Sequence, residues 1–122
     1  MAKILIIDDE ELICGMLESL LTRAGHEVDT AFDGAVGLEI YQEKPAQVVI
    51  TDIIMPESDG LETIKNLKQF NPDVKIIAIS GGSRIKQVDF LEVASDLGAD
   101  HAFYKPLDHA KLMQAVDNCL VS

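Results

Sequence analysis

Short apolar runs alternate along the chain with longer stretches whose apolar residues recur at helical spacing. Continuous runs rich in β-branched residues occupy positions 4–7, 48–50 and 76–79, and weaker versions occupy 27–32 and 102–104. Such runs are typical of strands that are buried on both faces of a parallel sheet. The pattern therefore predicts five strands, each followed by a helical stretch.

The helical stretches carry apolar stripes with spacings of three and four residues. The stripes comprise positions 12, 13, 16, 17, 20 and 21, then 36, 38, 40 and 41, then 61, 64, 67 and 70, then 88, 91, 94 and 97, and finally 112, 116, 119 and 120. We expect Gly25 and Gly98 to end the first and fourth helices. Pro45 and Pro72 are expected to end the second and third, because proline cannot continue a helix.

This alternation fills residues 1–122 and predicts one α/β domain, with a parallel sheet between two layers of helices. We expect the flavodoxin-like (βα)5 three-layer sandwich, a five-stranded sheet of order 2-1-3-4-5. In that order the first and third strands are neighbours at the point where the strand order reverses. Ligands of such folds bind there, at the carboxyl ends of the strands.

The charge composition excludes some classes of binding partner. The formal net charge is −11, from 21 acids and 10 bases, which argues against direct binding to nucleic acid or to anionic membranes. No apolar run approaches the ~18 residues of a membrane span, and the first residues do not form a signal peptide, so we expect a cytoplasmic protein without membrane insertion. Cys14 and Cys119 fall on apolar stripes and are predicted to be buried packing thiols.

Polar side chains stand where the predicted strands end. Asp8 and Asp9 follow the first strand, Asp52 the third, Ser80 the fourth and Lys105 the fifth. We expect them to share one pocket, because the carboxyl ends of parallel strands meet at one edge. Two carboxylates about 4 Å apart repel by about 1 kcal/mol in water, and by about 4 at an effective dielectric constant of 20. A hard divalent cation such as Mg²⁺ relieves that repulsion, so the cluster predicts a magnesium site.

The same residues suggest phosphoryl chemistry. A carboxylate is a competent nucleophile towards phosphorus and gives an acyl phosphate. Lys105, the Ser80 hydroxyl and the metal would share the charge on the transferred group. Modification of Asp52 would add up to about two negative charges at one place, which is enough to reorganise a nearby loop.

Several short motifs, each at an expected strand end, match one known family over essentially all residues. They are Ile6-Ile7-Asp8-Asp9-Glu10, Thr51-Asp52-Ile53-Ile54-Met55-Pro56, Asp59-Gly60, Ile79-Ser80-Gly81, Gly98-Ala99-Asp100 and Lys105-Pro106. The chain resembles the receiver domain of two-component response regulators, in its single-domain, CheY-like form.

The resemblance implies roles for individual residues. Asp52 matches the phosphoacceptor, Ser80 the switch hydroxyl and Lys105 the lysine that contacts the phosphoryl group, and the Lys105-Pro106 bond is expected to be cis. The implied magnesium ligands are Asp8, acting largely through water, Asp9, Asp52 and the backbone carbonyl of Ile54.

The function implied is a phosphorylation-dependent switch. A sensor histidine kinase or a histidine phosphotransfer protein would donate the phosphoryl group in a Mg²⁺-dependent reaction. The signal would then pass by contact with a downstream protein that the sequence does not identify. Such a domain is not an enzyme towards other substrates, since it catalyses only its own phosphorylation and dephosphorylation.

Two features depart from the family pattern. Ala102 stands where the family has an aromatic switch residue, whereas Phe103 is expected to face the core and Tyr104 to share the side of Ala102, where it is a candidate substitute. The stretch 81–97 is about three residues longer than usual, so we expect an enlarged, mobile loop at 81–84. Both departures concern how the signal is transmitted.

Other interpretations compete with these. The less favoured alternatives are that Asp8 and Asp9 only cap the first helix, that Ser80 is a simple turn residue and that Lys105 is a solvated surface lysine. Glu10 is either a helix-start acid or a site residue. Asp59-Gly60 is predicted to start the third helix. His26, His101 and His109 show no metal-ligand spacing and receive no role.

Other classes of function are less well matched by the sequence. A phosphohydrolase that uses an aspartyl phosphate needs a second acid two residues after the nucleophile, where this chain has Ile54. A flavodoxin needs a phosphate-binding loop after the first strand, where this chain has four acids. A phosphate-independent interaction module would be favoured by loss of an acid, the serine or the lysine, and all are present.

Overall fold

The structure, a computed structural model, describes residues 2–55, 58–81 and 90–121. In these residues five strands form the main sheet: β1 (Lys3–Ile7), β2 (Glu27–Ala31), β3 (Val48–Asp52), β4 (Lys75–Ser80) and β5 (His101–Tyr104). Five helices alternate with them: α1 (Glu11–Arg23), α2 (Gly34–Glu43), α3 (Gly60–Phe70), α4 (Phe90–Asp96) and α5 (His109–Val121). A short antiparallel pairing of Ile54–Met55 with Ser58–Asp59 follows β3, outside the sheet.

The sheet is parallel and has the order β2-β1-β3-β4-β5. In its register Ile7 lies opposite Thr51, and Asp52 lies opposite Ile79. The carboxyl ends of β1, β3 and β4 therefore meet at one edge, and the predicted flavodoxin-like strand order is confirmed.

Two hydrophobic clusters cover the two faces of the sheet, because successive residues of a strand point to opposite sides. On one face Leu5 and Ile7 pack with residues of α2, α3 and α4. On the other face Ile4 and Ile6 pack with residues of α1 and α5, including both cysteines. The three-layer arrangement and the burial of Cys14 and Cys119 are thus as predicted.

Two helix ends are also as predicted. The chain turns after α1 at Gly25 and after α4 at Gly98, whose φ angles of 95° and 116° favour glycine. In the described part of the chain, no helix combines the length and apolarity that crossing a bilayer demands.

The α1 stripe was predicted too broadly. Leu12 is 88% exposed, whereas Cys14, Leu17 and Leu21 are buried. At about 100° per residue Leu12 lies roughly 140° around the helix from Leu17, so it faces away from the sheet.

Further apolar positions are more exposed than predicted. Val36 and Phe70 are about half exposed, because they lie in the first turn of α2 and at the last residue of α3. Phe32 is exposed because β2 ends at Ala31. Positions 82–84 of the predicted loop, and position 88 of the fourth stripe, lie outside the described residues.

Candidate functional site

The structure brings the predicted strand-end residues to one place. Asp8 directly follows β1, Asp52 ends β3, Ser80 ends β4 and Lys105 directly follows β5. Asp8, Asp52 and Ser80 are buried, although each carries a polar side chain. Buried polar groups are costly unless they have partners, so this cluster requires an explanation in terms of its contacts.

Three carboxylates form the acidic part of the pocket. One oxygen from each of Asp8, Asp9 and Asp52 lies within 4.8 Å of the other two. Asp9 is exposed while the other two are buried, so the group opens to solvent on one side. Hard oxygen donors that converge in this way suit Mg²⁺, and the residues present therefore fit a magnesium ion.

The ammonium group of Lys105 lies between the two buried acids. Its Nζ is 2.9 Å from Asp8 Oδ2 and 3.1 Å from Asp52 Oδ2, and the lysine side chain is only 10% exposed. Burial lowers the pKa of Lys105, but its contacts with Asp8 and the charge of Asp52 outweigh burial, and the pKa is raised overall. Lys105 is therefore a fixed positive charge beside Asp52, and its interpretation as a solvated surface lysine is wrong.

Burial disfavours the charged form of the Asp8 carboxyl group. Burial raises the pKa of its carboxyl group above the ordinary value, although the Glu10 backbone N–H and the Lys105 ammonium oppose this rise. The Glu10 N–H donates to Asp8 Oδ1 at 2.9 Å. A divalent cation in the cluster would favour the charged form and relieve this cost.

Ser80 is held close to Asp52 by the strand register. Asp52 lies opposite Ile79, so Ser80 is one residue further towards the pocket on the neighbouring strand. The Ser80 carbonyl accepts a hydrogen bond from the Lys105 N–H at 2.8 Å, which ties the end of β4 to the residue after β5. The hydroxyl-bearing residue and the lysine are thus positioned by the same backbone contact.

The first turn of α1 decides between the two interpretations of the aspartates. The N-cap residue of α1 is Glu10, and its side chain makes no capping hydrogen bond. Asp8 and Asp9 precede the cap, so the interpretation of both as helix caps is wrong. Glu10 stands at the helix start, and its carboxylate also lies 3.6 Å from Lys105 Nζ, so it combines the two positions that the sequence offered as alternatives.

Two glycines pack closely against site residues, and sequence reasoning missed these contacts. Gly60 begins α3 as predicted, but a Cβ there would lie 2.4 Å from the Asp52 carbonyl oxygen and 2.3 Å from Ile53 Cα. At Gly81 a Cβ would lie 3.2 Å from Lys105 Cδ. The sequence signals are the Asp-Gly and Ser-Gly pairs close to Asp52 and Ser80, but the contacts that explain them are tertiary.

Comparison with known proteins agrees with this geometry. A sequence model of the response regulator receiver domain matches residues 4–117. The chain belongs to the response regulator receiver family. The receiver is 37% identical over 117 residues to the transcriptional regulatory protein ZraR of Klebsiella oxytoca, a match that covers 96% of the receiver and 26% of that protein. It thus spans about a quarter of the length of that relative.

Shorter relatives match over most of their length. The chemotaxis protein CheY of Treponema pallidum is 31% identical, with 97% of the receiver and 82% of that protein covered. The crystal structure of a receiver domain protein from Clostridium thermocellum has a TM-score of 0.89 at 34% identity, covering 98% of the receiver and 94% of that chain.

The far edge of the sheet holds Ala102, one of the two departures that the resemblance marks. Along β5 the side chains alternate as predicted: Ala102 and Tyr104 are exposed, whereas Phe103 packs against the core. The Lys105-Pro106 bond is cis, as the resemblance implied. Tyr104 therefore shares the side of Ala102, and its role as a substitute switch residue stays a prediction.

Ile54 lies two residues beyond Asp52, in the short pairing opposite Asp59. The family resemblance assigns its backbone carbonyl to the metal, and that assignment stays a prediction.

Proposed function

We propose that the receiver is a phosphorylation-dependent switch in which Asp52 accepts a phosphoryl group from a phosphohistidine. The donor would be a sensor histidine kinase or a histidine phosphotransfer protein. The observation that supports this most strongly is the contact of Lys105 Nζ with both Asp52 and Asp8 inside a buried cluster of acids. A fixed cation beside a nucleophilic carboxylate is the arrangement that phosphoryl transfer needs.

The chemistry follows from the residues present. An oxygen of Asp52 attacks phosphorus, the bond between phosphorus and the histidine nitrogen breaks, and an acyl phosphate forms on Asp52. Lys105 donates a hydrogen bond to the charge that develops on the phosphoryl oxygens, and the Ser80 hydroxyl donates a second. Asp8, Asp9, Asp52 and the Ile54 carbonyl would hold Mg²⁺, which when bound neutralises charge on those oxygens.

The proposal extends to what the receiver does not do. It acts only on its own phosphoryl group and has no external substrate, since Ile54 stands where a phosphohydrolase needs an acid. Its output is a protein contact, because the net charge of −11 disfavours nucleic acid. We place it in the cytoplasm, where kinases of this kind present their phosphohistidine.

The test uses acetyl phosphate and Mg²⁺ as reagents and intact mass as the readout. We expect one phosphoryl adduct on the wild-type chain, and none on Asp52→Asn or after chelation of the metal. Asp73→Asn is the matched control, because Asp73 is exposed and lies in the α3–β4 connection, away from the pocket; it should retain the adduct. Failure of the wild-type chain to form an adduct would reject the proposal, and repeated turnover of donor without an adduct would favour a phosphohydrolase.

A further inference from the structure

Glu10 occupies the N-cap position of α1, but its side chain does not cap the helix. It is the N-cap residue of α1, with φ −87° and ψ 111°, yet its side chain makes no capping hydrogen bond. The N-cap of α2 shows the contrast, since Asp33 accepts a hydrogen bond from the Val36 N–H at 2.8 Å. The Glu10 carboxylate is therefore used elsewhere, and it lies 3.6 Å from the Lys105 ammonium.

That contact completes a set of three carboxylates around one cation. The Lys105 ammonium has three N–H donors, and it lies 2.9 Å from Asp8, 3.1 Å from Asp52 and 3.6 Å from Glu10. Asp8 and Asp52 are buried beneath it, whereas the Glu10 side chain is 56% exposed. Glu10 is thus the exposed one of the three acids that contact Lys105.

We propose that Glu10 is a positioning residue that holds the outer side of the Lys105 ammonium and tunes the pocket towards cations and against small anions. This inference rests on the proposed function, because it concerns the approach of a phosphodonor to Asp52. Glu10 competes with an anionic donor for Lys105 and repels it directly. The same negative charge attracts Mg²⁺ and offsets the effect of Lys105 on the neighbouring acids.

The prediction is a pair of opposite changes in Glu10→Gln, which removes the charge and keeps the shape. The rate constant for phosphorylation by acetyl phosphate at low donor concentration should rise about two- to fivefold, the range expected for an exposed ion pair. This increase should come mainly from a lower half-saturating concentration of acetyl phosphate, with little change in the maximal rate. Mg²⁺ affinity, measured by calorimetry without donor, should fall by a similar factor, and both effects should shrink as salt is added.

Glu11→Gln is the matched control, because Glu11 is the neighbouring exposed acid in the first turn of α1 and the variant has the same net charge. It should show less than half of either change. Glu10→Asp keeps the charge on a shorter side chain, so it should stay closer to wild type than Glu10→Gln in both measurements.

Three outcomes would overturn the inference: equal effects in the Glu10→Gln and Glu11→Gln variants, changes of the same sign for Mg²⁺ and acetyl phosphate, or changes that do not depend on salt. Thermal unfolding of each variant guards against a folding defect, which would weaken both ligands together. Failure here remains distinct from failure of the proposed function. The latter would appear as wild-type protein without an adduct, whereas the former leaves the adduct intact and removes the difference between the variants.

Discussion

Two lysine–carboxylate clusters lie at opposite ends of β1 and share the same shortest distance. At the amino end Lys3 Nζ is 2.9 Å from Asp29 Oδ2, and at the carboxyl end Lys105 Nζ is 2.9 Å from Asp8 Oδ2. The first pair remains partly exposed, with side-chain exposures of 18% and 28%, whereas the second has 10% and 0%. Contact distance alone therefore does not distinguish a surface pairing from a functional pocket.

The difference lies in what surrounds each pair. Lys3 contacts two acids of the edge strand β2, Glu27 and Asp29, and all three side chains remain partly exposed, which weakens such ion pairs. Lys105 contacts buried acids at the centre of the sheet, where screening is weak and burial raises the pKa of Asp8. We therefore expect removal of the first cluster to change the free energy of unfolding little. We expect changes in the second cluster to alter both stability and ligand binding.

The largest predicted effect tests how rigidly the pocket end is built. Gly60→Ala should destabilise the receiver by about 4 kcal/mol, because the new Cβ overlaps backbone atoms that cannot move aside. Its closest contacts would be 2.3 Å to Ile53 Cα and 2.4 Å to the Asp52 carbonyl oxygen. Urea unfolding measures the change in the free energy of unfolding.

The α1 helix supplies the control for that substitution. Gly15→Ala meets nothing within 4 Å and lies inside α1, so it should stabilise the protein by up to about 1 kcal/mol. If Gly60→Ala and Gly15→Ala unfolded at the same urea concentration, the inference that α3 packs tightly against the Asp52 carbonyl would be wrong.

Next in size is the direct comparison of the two lysines. Lys105→Met should lower the free energy of unfolding by about 3 kcal/mol in metal-free protein at neutral pH, because it leaves two buried carboxylates without their cation. We place it at the low end of the range for buried pairs, since Asp8 can take up a proton. Lys3→Met should change stability little. Equal losses would show that burial does not separate the two clusters.

A smaller effect concerns pH and Asp8. Its pKa in the folded protein is raised, mainly by burial, so the folded state binds this proton more tightly than the unfolded state. Between the ordinary and the raised pKa, this group therefore lowers the stability of metal-free protein as the pH increases. Asp8→Asn removes the cost, so the variant should be more stable than wild type at neutral pH, with a gap that narrows on acidification.

Magnesium should make wild type more stable than Asp8→Asn, which reverses their order in metal-free protein. The ion binds the folded state, so it should stabilise wild type by an amount that grows with the logarithm of its concentration above Kd, and it should leave Asp8→Asn nearly unchanged. Urea midpoints with chelator and with Mg²⁺, at neutral and mildly acidic pH, measure both effects. If the difference in urea midpoint between wild type and Asp8→Asn changed neither with pH nor with Mg²⁺, the role assigned to Asp8 would be wrong.

The sequence predicted the pocket well because its signals are local. Asp8, Asp52 and Ser80 each interrupt or end a continuous apolar run, and a parallel sheet aligns such ends regardless of loop detail. Phe103 was correctly assigned to the core for a similar reason, since alternation along a strand fixes its side.

What the sequence could not predict depends on contacts between elements. Nothing near Gly60 in sequence shows that α3 approaches the Asp52 carbonyl, and Glu10 gives no local sign that it points to Lys105 instead of capping α1. Leu12 was assigned to the wrong side because apolar character was given more weight than its angle around the helix.

The smallest predicted effect lies at Gly81, where the pocket meets the lysine stem. A Cβ there would stand 3.2 Å from Lys105 Cδ and 3.8 Å from Nζ, so the flexible side chain must shift by a few tenths of an ångström. We expect Gly81→Ala to change stability by less than about 1 kcal/mol. The rate of phosphorylation by acetyl phosphate should fall about two- to threefold, because positive charge is displaced from the place where it stabilises the transferred group.

The rate and the stability together decide whether this effect acts through Lys105. Combined with Lys105→Met, the Gly81→Ala change should lose its effect on the residual rate, because the group it displaces is gone. A full additional loss in the double variant would mean that Gly81 acts on donor access directly. That result would leave the Asp8–Lys105–Asp52 arrangement intact but would remove Gly81 from the residues that position it.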